Sequence, residues 1–167
     1  MMFDLKKELS SRILVLDGGM GTMIQQYGLT EEDYRGDFVP NSDVQQKGNN
    51  DLLCITRSDV ISDIHNKYLE AGADIIETCS FNSQRISMAD YKMEGHIHEL
   101  NFAAAQLARK AADIYTAKDP TKPRFVAGSI GPTNKTCSIS PDVNNPAFRN
   151  VSFNEMKEAY IEQMDAL

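Results

Sequence analysis

Six residues, Asp17-Gly18-Gly19-Met20-Gly21-Thr22, carry the clearest chemistry in this sequence, directly after the apolar run Ile13-Leu14-Val15-Leu16. Such a run ending in an acid and glycines reads as a buried strand that delivers a carboxylate to a turn. Glycines let the backbone approach a ligand closely and offer N–H groups to an anion. An acid beside bare amides suits a zwitterion, with the ammonium on Asp17 and the carboxylate on the amides of Gly18 and Gly19. Two other readings stay open at this point: Asp17 as a cap for the following turn, and the glycines as a phosphate nest. A dinucleotide fingerprint is incomplete, because Ile24 stands where the third glycine of Gly19-x-Gly21 would be. No Gly-Lys-Ser/Thr follows, which excludes a Walker loop.

A second acid, Glu77, ends the run Ala73-Asp74-Ile75-Ile76-Glu77-Thr78-Cys79 in the same way. Two acids at equivalent strand ends would share one mouth and make a polar pocket that favours cations. The turn Gly128-Ser129-Ile130-Gly131-Pro132 follows a third apolar run and brings small residues to the same edge. His65, His96 and His98 fall on helices or their starts and read as surface or packing residues. Cys79 and Cys137 follow strands two and three and could meet at the mouth, but they lack companion ligands. Cys54, in Leu52-Leu53-Cys54-Ile55, reads as a small core residue.

The elements that position these residues alternate. After Asp17, residues 20–26 predict a short helix that Gly28 stops. Residues 29–50 show little periodicity and read as a long irregular excursion, of the kind that is usually functional or disordered. Ser58 is placed to cap a helix carrying Val60, Ile61, Ile64, Tyr68 and Leu69 on one side and ending near Gly72. The longest helix is predicted from about His96 to Ala117, with Pro120 and Pro123 beyond it. Residues 124–128 form a third strand, and a last helix starts at Ser152. Strand–helix alternation predicts an α/β fold with parallel strands, whose long polar loops gather at the carboxyl edge of the sheet. Residues 1–11 are a lead-in and residues 12–167 the domain. The sequence has no internal repeats.

The bulk composition excludes several classes of function. The 167 residues are 41% apolar and 25% charged, which suits one soluble globular domain. A net charge of −7 gives nucleic acid no electrostatic support. No apolar stretch approaches the ~20 residues a membrane span needs. The first eleven residues lack an apolar signal core. Three widely spaced cysteines without a C-x-x-C pair fit reduced thiols and a cytoplasmic location.

Asp17-Gly18-Gly19-Met20-Gly21-Thr22-Met23-Ile24-Gln25 and Lys47-Gly48-Asn49-Asn50-Asp51 closely resemble the homocysteine S-methyltransferase family. So do Ala71-Gly72-Ala73-Asp74-Ile75-Ile76-Glu77-Thr78 and Met88-Ala89-Asp90-Tyr91. Gly131-Pro132-Thr133-Asn134-Lys135-Thr136, Ser138-Ile139-Ser140-Pro141-Asp142-Val143 and Phe148-Arg149-Asn150 narrow the resemblance to the homocysteine-binding module of cobalamin-dependent methionine synthases. It covers residues 12–167. It implies a (β/α)8 barrel, of which this chain would hold the first three βα units. It also implies a homocysteine site in which Asp17 takes the substrate ammonium, Gly18 and Gly19 its carboxylate, and Glu77 lines the mouth. In the full-length family a zinc ion activates the thiol and methylcobalamin supplies the methyl group. The family's zinc cysteines form a single Cys and a Gly-Gly-Cys-Cys run on later strands, and neither motif occurs here. The resemblance therefore implies a fragment without activity, with no catalytic residue and no bound zinc or cobalamin. Its expected partners are homocysteine and the remaining barrel, cobalamin and folate domains, and the open sheet edges predict self-association. Two other classes stay open: a non-enzymatic α/β interaction module and an anion-binding α/β protein.

Overall fold

The computed structural model describes residues 4–167. Its centre is a short parallel pair of strands, β1 (Ile75–Glu77) and β2 (Phe125–Ala127), in the register Ile75↔Phe125, Ile76↔Val126 and Glu77↔Ala127. Around the pair lie α1 (Leu5–Ser11), α2 (Met20–Gln25), α3 (Glu31–Arg35), α4 (Leu53–Thr56), α5 (Ser58–Ala71), α6 (Arg85–Met88), α7 (Ile97–Lys118) and α8 (Phe153–Ala166).

The two long predicted helices form because each presents an apolar stripe at helical spacing. Val60, Ile61, Ile64 and Leu69 of α5 are buried, as are Leu100, Ala104, Ala108, Ala111 and Ala112 of α7. Gly72 ends α5 at a φ of 109°, a conformation in which a side chain would be strained. Ser58 is the first residue of α5 rather than its cap; the cap position falls on Arg57, whose backbone is non-helical at φ −136° and ψ 53°. At α8, Ser152 and Glu155 form a reciprocal capping box.

Three regions differ from the sequence expectations. The predicted first strand is not a strand. Residues 13–16 make one bridge, Leu16↔Ile75, supported by bonds from Asp74 N and Ile75 N to Val15 O and from Asp17 N to Ile75 O. The pairing with β1 stops at that single bridge, so the ladder that defines a strand is not completed. Ile13, expected to be buried, is 89% exposed. Of the three predicted βα units, two therefore have regular strands and the first has a bridged segment. The second difference is that the excursion after residue 29 is not wholly irregular. Thr30 and Asp33 cap α3 reciprocally, and the Glu31 carboxylate accepts from Gln46 N (2.8 Å) and Lys47 N (2.7 Å), folding the loop back on itself. Finally, the lead-in contains a helix, α1, none of whose residues is buried.

Asp74 sets the place of the bridged segment. Its carboxylate is almost wholly buried and accepts from Val15 N (2.9 Å) and from Arg12 Nη1 (2.8 Å), with Lys122 Nζ at 3.7 Å. Removing it strands the Val15 N–H and leaves two cations without their shared anion. Asp74→Ala is expected to lower stability by about 2 kcal/mol in urea unfolding, the usual scale for hydrogen bonds to a charged group. Asp74→Asn should restore part of the loss, since one amide oxygen can still accept from Val15.

Candidate functional site

Pairing of residues 13–17 with β1 carries Asp17 to the carboxyl end of the sheet, one step from the end of β1. There the Glu77 N–H donates to Asp17 Oδ2 at 3.0 Å. Asp17 Oδ1 is buried and has no partner among the described residues. Burial is the main reason the Asp17 carboxyl is pushed up to about 6, and the nearby Glu77 charge adds to it. The Glu77 N–H bond opposes both. The result is a carboxylate held at one oxygen and free at the other.

Both acids line a cavity of about 370 Å³, together with Gly18, Gly19, Asn50, Phe81, Asn82 and Ser129 among others. The two acids and the two glycines read from the sequence thus come together. The N–H groups of Gly18 and Gly19 have no hydrogen-bond partner among the described residues. Space at these glycines is tight. A Cβ on Gly18 would stand 3.2 Å from the Tyr68 hydroxyl, which itself donates to Gly19 O, and one on Gly19 would stand 2.9 Å from Thr22 Oγ1. Larger concavities lie along α7 and β2 and between α6 and α8, but neither holds Asp17 or Glu77.

The expected turn after β2 also reaches the cavity. Ser129 N donates to Thr78 Oγ1 (2.8 Å), and Ser80 Oγ donates to Ser129 O (2.8 Å). Gly131 N donates to Phe81 O (2.9 Å), and a Cβ on Gly131 would fall 2.5 Å from that same oxygen. Only a glycine lets the two loops approach so closely. From α8, Gln163 Nε2 donates to Ser80 O at 2.7 Å and so ties α8 to the loop after β1.

Sequence signals alone give Asp51 no role, but the structure does. It is buried in the cavity wall, where its Oδ2 accepts from Asn82 N (2.7 Å) and Ser83 Oγ (3.0 Å). Burial pushes its carboxyl up to about 6 against those bonds. It joins the loop entering α4 to the loop after β1, and so shapes the wall that carries Asn82. The one local signal is its place in Gly48-Asn49-Asn50-Asp51, at the close of an aperiodic segment.

The cysteines do not form a reactive centre. Cys79 lines the cavity but is buried, with its Sγ 3.6 Å from Asn50 O. Contact with the Cys54 thiol, followed by burial, pushes the Cys79 thiol up, so it stays protonated at neutral pH. Cys54 Sγ donates to Cys79 O at 3.4 Å, from the core position expected of it. Cys137, one of the two cysteines that could meet at the mouth, lies against Met156 Sδ at 3.9 Å and is not among the cavity residues. Among the described residues no group of three or more His, Cys, Asp or Glu could hold a metal ion. The residues present do not fit zinc. His65 is wholly buried on α5, while His96 and His98 lie at the start of α7, away from the cavity.

The cavity offers one unsatisfied carboxylate oxygen on Asp17, the further acids Glu77 and Asp51, and the amides of Gly18 and Gly19. Among the described residues no helix is long and apolar enough to cross a membrane.

Comparison with known proteins gives the family and the fold. Residues 14–167 match the family described as homocysteine S-methyltransferase. The fold is similar to that of the homocysteine methyltransferase MmuM from Escherichia coli. With its metallated form the TM-score is 0.67 at 22% identity, over 95% of this chain and 51% of that one. With its oxidized form the TM-score is 0.65 at 23% identity, over 97% of this chain and 53% of that one. The chain spans about half the length of these structures.

Proposed function

Because the chain belongs to the homocysteine S-methyltransferase family, we propose that its cavity holds the amino-acid end of homocysteine. Asp17 Oδ1 takes the α-ammonium, the N–H groups of Gly18 and Gly19 take the carboxylate, and Glu77 lines the mouth. The observation that carries this reading is the buried Asp17 Oδ1 without a partner. A buried acceptor left unsatisfied is costly, and a ligand ammonium removes that cost with a charge-assisted bond.

The wider role follows from the resemblance and is part of the same proposal. The chain is the opening part of a methionine synthase barrel in the cytoplasm, working with the rest of that barrel and with cobalamin and folate domains. There a zinc ion bound outside this chain would supply the activated thiolate, and methylcobalamin the methyl group. This chain contributes substrate orientation and, by itself, no turnover.

The test is calorimetric titration of the 167-residue chain with L-homocysteine and with 4-mercaptobutanoate, which keeps the thiol and carboxylate but lacks the ammonium. L-homocysteine is expected to bind at least about tenfold tighter, as loss of one bond to a charged group implies. Equal affinity would remove Asp17 from the proposal. Displacement by inorganic phosphate but not by L-methionine would point to an anion site instead.

A further inference from the structure

In the proposed site the ligand carboxylate has no cation to meet. Among the described residues no lysine or arginine lines the cavity, while Asp17, Asp51 and Glu77 do. A carboxylate there must rest on neutral N–H donors. It presents two oxygens with about four lone-pair sites, and the amides of Gly18 and Gly19 supply only one donor each. A further donor on the same wall would complete the set.

Asn50 has the geometry of that donor. Gly48, at a φ of 107° that would strain a side chain, leads into a single 3-10 turn, Asn50–Leu52, in which Asp51 and Leu52 are buried. Asn50 N donates to Gly48 O at 3.0 Å, and Asn50 O accepts from Cys79 Sγ at 3.6 Å. The backbone is therefore tied on both sides. The side-chain amide is oriented as well. From α3, the buried Tyr34 donates its hydroxyl to Asn50 Oδ1 at 2.9 Å. Burial pushes that hydroxyl up, and a bond from the Gly48 N–H to its oxygen opposes the shift. With its oxygen accepting from Gly48, Tyr34 gives its proton to Asn50, and the amide nitrogen becomes the free end. Asn50 Nδ2 has no partner among the described residues and is not sealed from solvent. A Cβ on Gly21 would stand 3.7 Å from it, so it faces the glycine turn that carries the Gly18 and Gly19 amides.

On the reading of the cavity as a homocysteine site, we propose that Asn50 Nδ2 is a third donor to the ligand carboxylate and that Tyr34 is the positioning residue that aims it. An uncharged donor suits this cavity. A lysine or arginine at the same place would pair with Asp17 or Glu77 and compete with the ligand ammonium, whereas an amide nitrogen holds the carboxylate and leaves both acids free. The wall at Asn50 thus selects a free α-carboxylate, and a ligand that lacks one gains nothing from it.

Asn50→Asp keeps an oxygen for Tyr34 and replaces the free amide nitrogen by an anion. Calorimetric titration compares its binding of L-homocysteine with that of 3-aminopropanethiol, which keeps the thiol and ammonium but lacks the carboxylate. L-homocysteine should bind at least about tenfold more weakly than to wild type, the scale of one bond to a charged group. The amine should bind as well as to wild type, or tighter. Tyr34→Phe should weaken L-homocysteine about threefold or more, and should have no further effect in an Asn50→Ala background. Equal losses for both ligands in Asn50→Asp overturn the proposal, because a merely structural role would produce them. So does an unchanged affinity for L-homocysteine, or a Tyr34→Phe effect that persists without the Asn50 amide. A second readout needs no homocysteine. On titration of wild type with sodium acetate, the NMR signals of the Asn50 side-chain amide should shift together with the Gly18 and Gly19 N–H signals, and Tyr34→Phe should reduce that shift. Wild type that takes acetate in this way but does not bind L-homocysteine would remove the homocysteine reading and keep Asn50 as a carboxylate donor. An Asn50 amide that acetate leaves unmoved would remove Asn50.

Discussion

Asp17→Asn is expected to weaken L-homocysteine binding by about ten- to a hundredfold while leaving the fold intact. The amide oxygen can still accept from the Glu77 N–H, which holds the side chain at one end. What disappears is the charge at the second oxygen, and a hydrogen bond to a charged group is worth about 1.5–3 kcal/mol. The same carboxylate predicts a pH profile. Its pKa of about 6 in the free chain means that protonation competes with the ligand ammonium below that pH. Affinity should be level near pH 7–8 and fall by about tenfold per pH unit well below 6. In Asp17→Asn that dependence should vanish. Titrations from pH 5 to 8 on both proteins check it, and a wild-type profile flat across pH 6 would show that Asp17 does not meet the ligand charge.

The parts of this site that were legible in the sequence share one property: local signals placed them. Asp17 and Glu77 each end an apolar run, and the turn at residues 128–132 follows another. Strand direction alone then brings them to one edge. Asp51 and Asn82 were not legible, because their meeting is a tertiary event across 31 residues, between two loops without periodicity. The missed helix α3 is a different case. Its Thr30–Asp33 capping box is local, but Asp stands where the usual pattern has Glu or Gln. Residues 13–16 show the opposite failure. The apolar run was read correctly as a segment bound for a sheet, but a strand is a property of neighbours as well as of sequence. Paired with β1 through one bridge, the run does not form a ladder, and Ile13, Val15 and Leu16 stay exposed.

His65 is expected to make the chain acid-sensitive in a way the cavity acids oppose. It is wholly buried, and neither ring nitrogen has a partner among the described residues. Burial holds its pKa down at about 4, against 6.5 for the unfolded chain. Between those values the unfolded state binds the extra proton, so stability falls as the pH drops from 6.5 toward 4 and levels off below. The full window is worth about 3 kcal/mol. Asp17 and Asp51 act with the opposite sign. Their folded pKa values, about 6, lie above the usual carboxylate value, so folding takes up protons there and stability rises as the pH falls from 6 toward 3.8. The wild-type curve is therefore a partial cancellation and would conceal both effects. His65→Leu separates them by replacing an imidazole with an apolar side chain in the same core. Relative to wild type, this variant should lose about 3 kcal/mol less stability between pH 7 and pH 4 in urea unfolding. Because the comparison is a difference across pH within each protein, any packing defect in the variant cancels. Parallel curves would mean that His65 is not neutral in the folded state, and that water or a neighbouring group satisfies its ring.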